Sequence, residues 1–153
     1  MKIENANPFG TLSAERLAAF ERELGGKLPA SYRAFLLAYN GGKPIPCHFL
    51  ISEAEGTDLL DNVYGLHDGP AYARLDAAWE VYKGRIPAAL LPIADDPFGN
   101  VICLGRFGAY AGKVYFWDHE LELDRRSPFG NVTLIANTFT DFLAALRDPE
   151  DDL

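Results

Sequence analysis

The sequence predicts an α+β fold: an antiparallel sheet of about four to five strands packed by about four helices. Three observations lead there. The opening third of the 153-residue chain carries apolar residues at helical spacing, positions 90–135 carry short branched or aromatic runs separated by turn formers, and one more amphipathic stretch follows. Helices, then a meander of strands, then a helix is the order of a segregated fold rather than of alternating βαβ units.

The helices come first. Leu17, Phe20 and Leu24 repeat at i, i+3, i+7 behind Ser13, a candidate N-cap, and Gly25-Gly26 stops the turn. Leu28 and Pro29 precede a second stripe, Tyr32, Phe35, Leu36 and Tyr39, with proline suited to a first helical position. Asn40, Gly41 and Gly42 end it and read as a C-cap, because glycine reaches the left-handed conformation a helix end requires. Tyr72, Leu75, Trp79 and Tyr82 give a third stripe with Gly84 just past its end. Thr138 with Asp141 resembles a capping box ahead of a fourth helix, in which Phe139, Phe142, Leu143 and Leu146 face inward and Asp148-Pro149 is the stop.

Between the third and fourth helices the period changes. Leu90–Ala94, Val101–Leu104, Lys113–Trp117 and Val132–Ile135 have the length and side chains of strands, and Phe49–Ile51 is a candidate edge strand. Asp95, Asp96, Pro97, Phe98, Gly99 and Asn100 form a short connection of turn residues, so the strands flanking it should pair antiparallel. Residues 105–112 close the next hairpin more loosely.

Apolar residues make up 48% of the chain and charged residues 24%, the usage of a globular protein. A single domain over 1–153 is expected, with a core over about 11–146 and an acidic tail at 147–153. The sequence contains no apolar run approaching the roughly 18 residues of a membrane span, and Cys47 and Cys103 stand far apart without a Cys-x-x-Cys pair. These features give the expectation of a soluble, cytoplasmic protein with reduced thiols and no membrane partner.

The net charge of −8 is unevenly spread. Residues 1–43 hold six Lys/Arg against four Asp/Glu, whereas residues 44–73 hold no Lys or Arg and five acids: Glu53, Glu55, Asp58, Asp61 and Asp68. Such a surface repels nucleic acid and attracts a basic protein. The same acids also suit a loop that only keeps the chain soluble. The expected contact surface is this acidic loop: Glu53, Glu55, Asp58, Asp61 and Asp68, with Tyr64, Leu59, Leu60 and Leu66 among them.

Candidate chemistry was weighed residue by residue. Asp95, Asp96, Asp118, His119 and Glu120 have the donor types of a carboxylate–imidazole metal site, and Asp95, Asp118 and His119 are the residues a metal-dependent hydrolase would use. If 118–120 continue a strand, however, Asp118 and Glu120 share a face and His119 points away from it. The structural alternative makes Asp95, Asp96, Gly99 and Asn100 the fasteners of a turn, Trp117 a packed side chain whose indole N–H needs one partner, and Asp118 or His119 the anchor of a strand end. His48 and His67 read as loop residues, and neither cysteine is read as having a histidine placed to activate it. The chain lacks a nucleophile elbow, a phosphate loop, a dinucleotide fingerprint and a His-Glu-x-x-His pair.

Three pieces in order, Leu28-Pro-x-x-Tyr-x-x-Phe-Leu ending in Asn40-Gly-Gly, "LPIADDPFGNVICL" at 91–104 and "GKVYFWDHE" at 112–120, resemble the SUKH superfamily, in its Smi/Knr-like branch. The likeness spans about residues 11–146. It implies a sheet packed by helices and, for the bacterial kind, an immunity protein that binds and neutralises a toxin, often a nuclease. The fungal kind implies a regulatory scaffold of cell-wall synthesis. Neither implies an enzyme or a cofactor. The expectation is therefore a non-enzymatic binding protein with no cofactor or metal, whose partner is a basic protein toxin and not nucleic acid.

Overall fold

The computed structural model describes residues 1–122 and 127–152, and its architecture is α+β. The chain opens with β1 (Lys2–Glu4), α1 (Ala14–Leu24) and α2 (Ala30–Tyr39). Ser13 caps α1 by accepting from the Arg16 amide, and Gly25, at φ 87°, closes it by donating to the Glu21 and Arg22 carbonyls. A chain reversal follows at once, and Glu21 holds it. Its buried carboxylate accepts from the Leu28 amide at 2.7 Å and from Arg33 Nε at 2.9 Å, tying the end of α1 to the start of α2. Pro29 takes the N-cap position, one residue ahead of the one its sequence context predicts.

Two short ribbons come next. β2 (Lys43–Ile45) pairs antiparallel with β1, and β3 (His48–Ser52) pairs antiparallel with β4 (Gly56–Leu59). Phe49–Ile51 is thus a strand, as expected, but it lies outside the large sheet and has its own partner. That partner, Gly-Thr-Asp-Leu, is too polar to register as a strand in sequence.

A 3-10 turn at Ala71–Ala73 precedes α3 (Leu75–Tyr82). The helix therefore starts after Tyr72, whose ring is 65% exposed and does not belong to the buried stripe assigned to it.

The four predicted strands form one antiparallel sheet in order β5 (Leu90–Asp95), β6 (Val101–Gly105), β7 (Val114–Trp117) and β8 (Val132–Ala136). Cys103 stands opposite Tyr115, and Ile102 opposite Phe116. Alternation splits the side chains between two faces. Ile102, Leu104, Val114 and Phe116 join the main core beneath α1 and α2, while Leu90, Val101, Cys103, Tyr115 and Trp117 form a second cluster with Ile86. A bulge between Pro92 and Ala94 lets Ile93 and Ala94 both serve the main core. α4 (Phe139–Ala144) then packs on α2. Thr138 caps it through the Asp141 amide as predicted, and the Phe139 ring sits edge-on to Tyr32 and Phe35 at 5.2 and 5.3 Å. Of the expected tail, 149–152 form a 3-10 turn and Leu153 lies outside the described residues. Among the described residues no helix is long and apolar enough to cross a membrane.

Candidate functional site

Two carboxylates end β5, and each fastens a different segment. Asp95 accepts from the Asn62 amide at 2.9 Å, Asn62 Nδ2 at 3.3 Å and the Tyr64 hydroxyl at 3.0 Å. It holds the 61–64 segment, an arrangement completed by the Asp61 amide donating to the Asp95 carbonyl at 2.8 Å. Burial nevertheless pushes its pKa above the ordinary carboxylate value, with those donors opposing the shift. Asp96 folds over its own turn, accepting from the amides of Phe98 at 2.8 Å and Asn100 at 2.7 Å and from Asn100 Nδ2 at 2.8 Å. Gly99 takes the φ of +93° that the turn requires, and the His119 ring covers it so closely that a Cβ there would lie 3.2 Å from the imidazole. Asn100 passes the fastening on, its Oδ1 accepting from the His119 amide at 3.1 Å.

Asp118 does not continue as a strand. It caps a 3-10 turn at His119–Leu121 by accepting from the Glu120 amide at 2.9 Å, and Asn131 closes the strand end from the other side. The face-sharing argument made for Asp118 and Glu120 is therefore replaced by a turn. Asp95, whose oxygens are occupied by Asn62 and Tyr64, and Asp118, occupied by Glu120, do not converge with His119. Among the described residues no group of three His, Cys, Asp or Glu side chains could hold a metal ion.

Four members of the expected contact surface, Asp58, Leu60, Tyr64 and Leu66, are interior. Asp58 is 6% exposed and Tyr64 3%, so neither reaches a partner across the surface. Asp58, on β4, lies against Asp96 instead. Burial first, and then its hydrogen bond with the Asp96 carboxylate, pushes Asp58 up to about 7, while Asp96 is held below the ordinary range. Burial opposes ionisation of Asp96 as well, but the bond from Asp58 and the donors of Asn100 and Phe98 outweigh it. Asp58 Oδ2 is buried with no hydrogen-bond partner among the described residues, and two carboxylates bond only through a proton, so the pair holds one between them below about pH 7. No local pattern announces this pairing, because Gly56–Leu59 does not register as a strand and Asp96 lies far along the chain.

Glu53, Glu55, Asp61 and Asp68 remain exposed. Glu53 and Glu55 occupy the tip of the β3–β4 hairpin, with the Glu55 amide donating to Ser52 Oγ. Asp68 pairs with Arg16 on α1 at 3.0 Å, its side chain 94% exposed.

The Asn-Gly-Gly stop does more than cap. Asn40, at φ 31°, is wholly buried. Its amide donates to the carbonyls of Gly10 and Leu66, both at 2.9 Å, and its Oδ1 accepts from the Leu66 amide at 2.8 Å. Trp117 is fully buried, yet its indole N–H has no acceptor among the described residues; Tyr82 meets the ring edge-on and the Arg85 guanidinium lies 5.6 Å from its centre. His67 is buried in its loop, bonded to the Ala73 carbonyl and the Gly69 amide. His48 begins β3, and its Nδ1 lies 4.0 Å from Cys47 Sγ, which corrects the expectation that neither cysteine has a histidine beside it.

The buried Leu28, Tyr32, Phe35, Asn40 and Trp117 and the Asp96–Asn100 turn belong to the three motifs picked out in the sequence, and the SMI1/KNR4 family (SUKH-1) model matches residues 11–145. The chain belongs to that family. In Bacillus subtilis (strain 168), the SPbeta prophage-derived uncharacterized protein YokK is 32% identical over 161 aligned positions, which cover 90% of this chain and 79% of the relative. Within this SUKH-1 chain the motif residues act as internal fasteners, and the exposed acids lie outside the motifs.

Proposed function

We propose that the chain is a non-enzymatic binding protein of the immunity type, which neutralises a basic protein toxin by direct contact. One observation carries the reading: residues 44–73, which contain no Lys or Arg, present Glu53, Glu55, Asp61 and Asp68 to solvent from a hairpin and loops pinned by Asp95 and Asn40. Rim carboxylates on a rigid support speed encounter with a cationic partner, such as a nuclease whose cleft is built for phosphate. Membership of the SUKH-1 family supports the reading, as does a relative named as prophage-derived. No catalytic step is needed, because covering an active site requires only shape and charge.

Growth rescue tests the proposal. Cells expressing the toxin encoded beside this chain should grow when the chain is co-expressed and stop growing without it. Replacing Glu53, Glu55, Asp61 and Asp68 together with Lys should abolish rescue while the purified variant keeps its melting curve. Rescue undiminished in that variant would move the contact off the acidic surface.

A further inference from the structure

In a chain of net charge −8, cations scattered among the acids are the ordinary arrangement. Instead, five of them gather around two adjoining hollows on the side of α1 and α3. The larger is a cavity of about 450 Å³ whose walls include Trp79, Tyr82, Lys83, Arg85 and Arg106. The smaller, about 210 Å³, is formed by Gly25, Gly26, Lys27, Arg106 and Phe107. Arg106 and Leu24 line both, and Arg22 stands beside Gly25 and Lys27 on the outer rim.

Arg106 is the unusual member. Its guanidinium is part-buried, bonded to the backbone carbonyls of Ala88 and Leu24 and lying 4.7 Å from the centre of the Trp79 ring. Those partners carry no full charge; even the end of α1 supplies only about half of one, spread over its last turn. Among the described residues Arg106, Arg22 and Lys27 form no ion pair, whereas Arg85 is clamped by Glu122 and Lys83 is near Glu80. Burial accordingly lowers the proton affinity of Arg106, the mark of a cation short of a counter-charge. Beside it the Phe107 ring is 52% exposed.

We infer that this groove is a second docking surface, which takes an extended acidic peptide segment: carboxylates on Arg106, Lys27 and Arg22, and an adjacent apolar side chain on Phe107 and Trp79. Charge complementarity selects the occupant. A polynucleotide brings one charge per ~1.7 Å of duplex and meets the chain's net −8 together with Glu23, Glu80 and Glu122 around the groove. A short acidic segment brings fewer charges against the same field, and its carboxylates reach Arg106, Lys27 and Arg22, which form no ion pair among the described residues; desolvated guanidinium–carboxylate pairs are the strong kind. The inference is independent of the proposed function, which uses the oppositely charged surface.

The test is an amide NMR titration of the full chain with acetylated Glu-Leu-Glu-Phe-Glu. Lys-Leu-Lys-Phe-Lys, inorganic phosphate and a single-stranded DNA oligonucleotide serve as comparisons. The acidic peptide should shift the Trp79 indole N–H and the amides of Gly26, Lys27 and Phe107, and the exposed pair Lys27→Glu with Phe107→Ala should weaken binding about tenfold or more. That variant leaves the Arg106 bonds to Ala88 and Leu24 intact, whereas Arg106→Gln would break them, and its own amide spectrum reports that it is folded. No shift with the acidic peptide, equal shifts with the lysine peptide, saturation by phosphate alone, or tighter binding of the oligonucleotide at the same salt would each overturn the inference.

Discussion

The side-chain amide of Asn40 pairs with the backbone of Leu66 as a neighbouring strand would, giving one hydrogen bond and receiving another across 26 residues. Gly65 makes room for it: a Cβ there would lie 2.8 Å from the Asn40 backbone and Oδ1. Asn40→Ala leaves both backbone groups of Leu66 unpaired, and should lower stability by about 2–4 kcal/mol in urea unfolding. Gly65→Ala should destabilise by at least ~1–3 kcal/mol, and the two effects should fail to add because they break the same joint. Additive losses would show that the two positions act separately.

The Asp58–Asp96 pair gives stability a pH dependence of determinable sign. Asp58 titrates near 7 when folded and near ~3.9 when unfolded, so the folded chain holds the extra proton between those values. Its contribution is complete below about pH 4 and fades as pH rises through 7. Asp58→Asn keeps a donor facing Asp96 without the charge, and should flatten the melting temperature between pH 5 and 8, leaving the variant more stable than the parent at pH 8 by a few degrees. A parent melting temperature that does not fall over that range more steeply than the variant's would refute the shared proton.

Asp96 satisfies three donors of a single turn, and Asn100 hands the turn on to His119. Asp96→Ala should therefore cost about 2–3 kcal/mol and speed amide hydrogen exchange at Phe98, Asn100 and His119 together. Exchange confined to Phe98 would mean that His119 is held by other contacts.

Gly105 ends β6 where the Tyr110 carbonyl crosses it, and a Cβ on Gly105 would fall 1.7 Å from that oxygen. The contact is with backbone, which no rotamer change relieves. Gly105→Ala should abolish soluble expression or lower stability by more than ~3 kcal/mol, whereas Gly26→Ala, with open space around it and no left-handed φ, should lose far less in the same urea titration.

Periodicity carried the scaffold. The stripe of Leu17, Phe20 and Leu24, the Thr138 cap and the four sheet strands are local patterns, and local patterns survive folding because the core reads one face of each element. Tyr72 extended its stripe only because a 3-10 turn happens to precede α3 at near-helical spacing. The strand Gly56–Leu59 was invisible because three of its four residues are small or polar, and its pairing with β3 supplies what composition lacks. The same blindness misplaced Asp58 and Tyr64: a carboxylate in an acidic loop reads as solvated, and only the fold brings Asp96 and Asp95 to meet them. Long-range partners of polar residues were thus the part that sequence could not supply, Asn40 above all.

Because β6 and β7 are covered on both faces, no side chain at the middle of the sheet is free to answer to a newcomer. Changes in what the molecule recognises must be written in the hairpin tips and rims, where a substitution leaves the centre untouched. Under the proposed binding role, one framework of this design exchanges targets through surface edits alone, keeping its folding problem solved while its specificity drifts.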